Sequence, residues 1–138
     1  MCIRDRDKPA PDGRVDWQEF DRDVIGGRYT NHHGAGPETT ITLAANAAEH
    51  PVLAAINVAE LKGTGSLYKV SPLQPSASPL LMGTIPDADA EPVAWLNKRS
   101  DGGLTFYTSL GHVGDFEQPG FRRLLKNACD WLTASSSL

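Results

Sequence analysis

The sequence predicts an α/β layer protein, and three observations carry that reading. Thr39 to Leu43, Leu80 to Ile85, Pro92 to Asn97 and Leu104 to Leu110 are short stretches with the residue types of strands. The last two are joined by Ser100-Asp101-Gly102-Gly103, a hairpin turn. From Pro119 to about Thr133, Phe121, Leu124, Leu125, Ala128, Trp131 and Leu132 recur at helical spacing, while Arg122, Arg123 and Lys126 mark the solvated face. Strands followed by an amphipathic helix call for a sheet with that helix packed on one side.

The remaining elements follow in chain order. Residues 1–15 have no hydrophobic period and are set aside as a leader; Met1-Cys2-Ile3-Arg4-Asp5-Arg6 resembles a translated sequencing adapter, so Cys2 receives no function. No apolar stretch of about 7–15 residues follows those charges, so they do not read as a signal peptide. Asp16 to Ile25 carries apolar residues at 17, 20, 24 and 25, with Asp16 and Glu19 as a capping pair and Gly26-Gly27 as the stop. Arg28 to Pro37 is a loop rich in polar rings and glycine, and Pro51 opens a helical turn that runs through Ile56. Leu67 to Val70 is a further short strand, Pro86-Asp87-Ala88-Asp89 is a turn, and residues 135–138 are expected to fray.

Composition narrows the function classes. The 138 residues allow one domain, and 40% hydrophobic content supports a core. Thirteen basic against seventeen acidic residues leave a net charge of −4, with no basic patch for nucleic acid. No apolar run approaches the ~20 residues that cross a bilayer. Two cysteines are too few for a disulfide framework or a structural zinc site, and Cys129 reads as a buried, inert thiol.

An ordered series of segments resembles one family. Asp23 to His33 looks like its GG-x-Y-x-x-H segment, and Glu49-His50-Pro51-Val52 like its HP turn. Ser66 to Val70 resembles the segment where it carries a tyrosine. Pro92 to Trp95, followed by Phe106 to His112, is similar to its most diagnostic stretch, and Phe121, Leu124, Leu125 and Trp131 match its terminal helix. The family is the ThuA-like, or trehalose-utilisation, domain. Membership implies a fold related to class I glutamine amidotransferases, a flavodoxin-like parallel sheet between helices. It also implies that residues 16–134 are the C-terminal part of the domain, and that early strand–helix units of the same domain are a missing partner. Gly65-Ser66 stand where the family commonly has an acid pair. No Gly-x-Ser-x-Gly or Gly-x-Cys-x-Gly elbow occurs, so glutaminase chemistry is not expected.

The residues that could carry chemistry are then few. His112 follows a strand at Gly111, where open sheets place ligand sites, and Asp115 could orient its ring or bind a sugar hydroxyl. His32 and His33 sit in the Gly-rich loop, and adjacent side chains point different ways, so one of the two is expected at a site. Taken alone, the His32–His33 pair reads first as a polar loop with one ring capping backbone, and the family resemblance moves it toward a site; His112 reads equally as a loop residue that caps the strand end. Tyr29 and Tyr68 offer phenols and rings that stack on sugars or pack with a wet tip; Asn31 and Ser109 complete the polar set expected to bind substrate. His50 reads as turn chemistry, and Trp95 and Trp131 as core. The resemblance implies a domain acting on or binding a carbohydrate, either by acid/base chemistry of His112 with His32 or His33, or with zinc held by His32 and His112. The alternative is a non-catalytic ligand-binding or interaction module of a larger multidomain protein. Histidines converging on one pocket favour the first, and scattered histidines the second.

Overall fold

The computed structural model describes residues 17, 19–34 and 36–135. The leader over residues 1–15, the Asp16 cap and the tail beyond Ser135 lie outside the described residues. Among the described residues, seven strands and one long helix make up an α/β arrangement: β1 (Asn31–His32), β2 (Thr39–Leu43), β3 (Lys62–Gly63), β4 (Tyr68–Lys69), β5 (Ala77–Thr84), β6 (Glu91–Lys98), β7 (Leu104–Thr108) and α1 (Pro119–Ser135). A π-helical turn (Asp21–Ile25) and three 3-10 turns (Pro51–Leu53, Val58–Glu60, Val113–Glu117) connect them.

Five strands form one sheet in the order β3-β2-β5-β6-β7, so the four longer strands expected from the sequence share a single sheet, while the short one expected at Leu67 to Val70 is β4 of a separate pair. Every pair among the described residues is antiparallel, which differs from the parallel flavodoxin-like layering that the resemblance implies. The reason is the connections. β5, β6 and β7 follow one another through short turns, and a parallel neighbour needs a crossover of a dozen residues or more. At the β6–β7 turn, Asp101 accepts from the Gly103 amide at 2.8 Å and from Arg99, while Gly102 takes a left-handed φ of 84°.

β6 is the centre of the molecule, and its residues from Glu91 to Asn97 are all buried. Side chains alternate across a strand, so Ala94 and Leu96 turn to the side of α1 and Val93, Trp95 and Asn97 to the other. On the α1 side, Phe121, Leu124 and Ala128 are the buried helix residues. Asn127 fastens the helix by donating to the carbonyls of Val52 (3.1 Å) and Ala54 (2.9 Å). Cys129 is exposed, which corrects the expectation of a buried thiol. It stands one residue past Ala128, a rotation of about 100° off the buried stripe. The helix also runs two residues beyond Thr133, and Ser135 donates back to the Trp131 carbonyl at 2.8 Å.

On the opposite side, β6 holds the Asp21–Ile25 turn. Trp95 Nε1 donates to the Ile25 carbonyl at 2.7 Å, and Asn97 Nδ2 donates to the carbonyls of Val24 (3.0 Å) and Asp23 (3.3 Å). Side-chain donors therefore satisfy carbonyls that have no partner within the helical turn. The stop is Gly26, with φ of 76° and an amide that returns to Asp21. A Cβ there would lie 2.5 Å from Asn97 Cγ, so conformation and close approach both demand glycine.

β1 pairs with β4 as a separate ribbon, Asn31 opposite Lys69 and His32 opposite Tyr68. Edge strand β3 is covered by Gln118, whose amide accepts from Lys62 N at 2.9 Å and donates to Lys62 O at 2.8 Å. One side chain thus occupies a backbone edge that would otherwise invite a further strand. No helix among the described residues is long and apolar enough to cross a membrane.

Candidate functional site

A cavity of about 320 Å³ opens where the β1–β4 ribbon meets the segment that follows β7. His32 and Tyr68 line it from the ribbon; Ser109, His112 and Asp115 line it from the other wall; Thr39 and Val93 reach it from the sheet. Of the residues expected to bind substrate or carry chemistry, the structure brings these five together: His32, Tyr68, Ser109, His112 and Asp115. Tyr29, Asn31 and His33 do not line the cavity.

The second wall is built around one carboxylate. Asp115 is 1% exposed and accepts four hydrogen bonds. Oδ1 takes Thr64 N at 2.8 Å and Thr64 Oγ1 at 2.7 Å, while Oδ2 takes Gly111 N at 2.7 Å and His112 N at 3.0 Å. Burying a charge is costly unless donors replace its water, and here four do. The carboxylate therefore holds the backbone of His112 rather than its ring, and it has no oxygen to spare for a sugar hydroxyl. It ties the Thr64 loop to the turn after β7. Gly114 permits that contact, since a Cβ would lie 2.9 Å from Thr64 Oγ1.

His112 occupies the N-cap position of the Val113–Glu117 turn. Its Nδ1 lies 3.0 Å from Thr64 Oγ1 and 3.4 Å from Gly114 N, and its exposed ring leaves Nε2 without a hydrogen-bond partner among the described residues. Thr64 has no motif around it, so sequence reasoning missed it; its neighbours Gly63 and Gly65 were the only local signal.

On the ribbon, Tyr29 supports His32 from behind. Its hydroxyl lies 2.6 Å from His32 Nδ1, and its ring meets the edge of Tyr68 with centroids 4.8 Å apart. Burial, and then the neighbouring Tyr29, push the Tyr68 phenol above its ordinary value of 10.0, so it remains a donor at neutral pH. Strand pairing explains the split between the two histidines. His32 sits opposite Tyr68, whereas the His33 amide bonds the Leu67 carbonyl at 2.9 Å and its side chain leaves the cavity. Asn31 Oδ1 folds onto the His32 amide at 2.8 Å.

A zinc site with His32 and His112 does not fit these residues. Zinc takes at least three protein ligands, and among the described residues no three His, Cys, Asp or Glu are grouped to hold a metal. The carboxylate that lines the cavity with them, Asp115, is saturated by its four donors. His50 stands apart: it accepts from Val52 N at 3.2 Å, packs edge-on against Trp131 at 5.0 Å, and lines a second hollow of about 510 Å³ on the α1 side of the sheet.

The family model described as trehalose utilisation matches residues 10–132, and it spans both walls of the cavity and the sheet beneath them. No curated protein and no solved structure matches the chain. With nearly its whole length inside that match, the chain belongs to the ThuA, or trehalose-utilisation, family.

Proposed function

We propose that this domain binds a sugar in the cavity between the β1–β4 ribbon and the turn after β7, and acts on it by histidine acid/base chemistry. One observation carries the reading. His32 and His112, remote in sequence, line the same 320 Å³ hollow, each with Nδ1 engaged by a hydroxyl and Nε2 without a partner among the described residues. Imidazole is the side chain whose ordinary pKa suits proton transfer near neutrality. A sugar supplies what such a site needs: several hydroxyls for Nε2, Tyr68 and Ser109, and a carbon face for the Tyr68 ring. The volume lies at the small end of ligand pockets, about 300–1,000 Å³. The family's description makes trehalose the first ligand to try.

The test is titration of the protein with trehalose, following both binding and any change in the sugar. His112→Ala is expected to weaken binding by about tenfold or more and to abolish turnover. Unchanged binding and turnover in that variant would remove His112 from the site. A second reading, a non-catalytic binding or interaction module, draws on the 77% exposed Val113 and 48% exposed Phe116 beside the cavity. Binding of trehalose with no chemical change would favour it.

A further inference from the structure

We propose that Thr64 and Tyr29 hold the two cavity histidines in opposite tautomers, so that His112 offers a bare Nε2 and His32 an Nε2–H. The proposal rests on the reading of these residues as the pair that meets the ligand, and it says which ring accepts a hydrogen bond and which donates one.

The argument starts from a count of protons. The Thr64 hydroxyl has one hydrogen and two neighbours that could take it, Asp115 Oδ1 at 2.7 Å and His112 Nδ1 at 3.0 Å. A carboxylate wins that competition, because hydrogen bonds to an ionised acceptor are shorter and roughly twice as strong as neutral ones. Were the proton turned to His112, an oxygen lone pair would face the buried carboxylate at 2.7 Å. With its hydrogen committed to Asp115, Thr64 Oγ1 can only accept from His112. Nδ1 must then carry the imidazole proton, which leaves Nε2 as the ring's acceptor.

The Gly114 amide also points toward His112 Nδ1, and it would favour the other tautomer. Its 3.4 Å lies beyond the ordinary range of about 2.7–3.2 Å, so it is the weaker claim. Thr64 is fixed at two points, its amide donating to the same Oδ1 at 2.8 Å. The bridge is therefore held from the backbone as well as from the hydroxyl.

Tyr29 stands in the contrary position. Among the described residues its hydroxyl has one hydrogen-bond partner, His32 Nδ1 at 2.6 Å. A phenol gives up its proton more readily than an aliphatic alcohol and is a poorer acceptor, and the short distance suits O–H donation. His32 Nδ1 is thus the acceptor, and its proton resides on Nε2. One wall of the cavity presents an imidazole nitrogen that accepts and the other an imidazole N–H that donates. A ligand that gives a hydrogen bond to one ring and takes one from the other, as neighbouring sugar hydroxyls do, satisfies both.

The test is the ¹⁵N spectrum of the histidine rings in the whole chain, recorded without ligand at alkaline pH. Signals are assigned by their loss in His32→Asn and His112→Asn. His112 is expected with its proton on Nδ1 and His32 with its proton on Nε2. Thr64→Val is expected to release His112 to the Nε2–H form, and Thr64→Ser, which keeps the hydroxyl, to restore Nδ1–H. A wild-type His112 protonated on Nε2 would overturn the proposal, as would a Thr64→Val spectrum identical to wild type. Because no sugar is present, failure here leaves the binding test intact, and failure to bind trehalose leaves the tautomers standing.

Discussion

Asp115 shapes the site by holding the two loops that wall it. Its four donors come from two loops, so removing it strands the amides of Thr64, Gly111 and His112 together. Leaving buried donors unpaired costs about 1–3 kcal/mol each, and part of that is recovered by water. Asp115→Ala is therefore expected to lower stability by about 3 kcal/mol in denaturant titration. A loss under about 1 kcal/mol would show that the loops are held elsewhere. His50 makes a pH-dependent contribution. Burial lowers its pKa below the ordinary 6.5, and its neutral Nδ1 accepts from Val52 N. The unfolded chain then binds more protons than the folded one just below pH 6.5, so stability falls as pH drops through that value toward the folded pKa. His50→Asn keeps an acceptor at the cap but cannot titrate. Between pH 7 and 5 it is expected to lose less melting temperature than wild type, and parallel curves would refute the role.

At the scale of elements, β6 decides most of the arrangement. Trp95 and Asn97 anchor the carbonyls of the Asp21–Ile25 turn, and Gly26 lets the chain pass over Asn97. Gly26→Ala adds a clash and a left-handed backbone penalty, and about 2 kcal/mol or more of lost stability is expected. A neutral effect would mean that the turn moves away from β6 without penalty. This packing also explains what the sequence made legible. The four longer strands announce themselves through their strand-type residues and the Ser100–Gly103 turn, and α1 through an apolar period that repeats against the core. β1 and β3 are two-residue pairings fixed by distant backbone, so no local pattern marks them. The helix expected from Asp16 is, where described, a π-turn. Its spacing is helical, and donors on a strand far along the chain meet its last carbonyls. His112 and His32 stood out by residue type and loop position. Thr64 did not, because its importance lies entirely in what it touches.

Across the whole molecule, the sheet separates two hollows. The cavity of His32 and His112 lies on the Val93 side, and the hollow of His50 and Trp131 on the Leu96 side. The antiparallel connections bring β1–β4 and the turn after β7 to the same side, although the histidines they carry are far apart in sequence. This arrangement makes the central claim, that the first hollow is the sugar site, directly testable by residue-resolved NMR of the whole chain titrated with trehalose. The account predicts that the signals of His32, Tyr68, Ser109 and His112 shift together with one dissociation constant. It also predicts that Ala45, Lys98 and Trp131, across the sheet, stay in place. Shifts confined to the second hollow, or none in the first at saturating sugar, would contradict it.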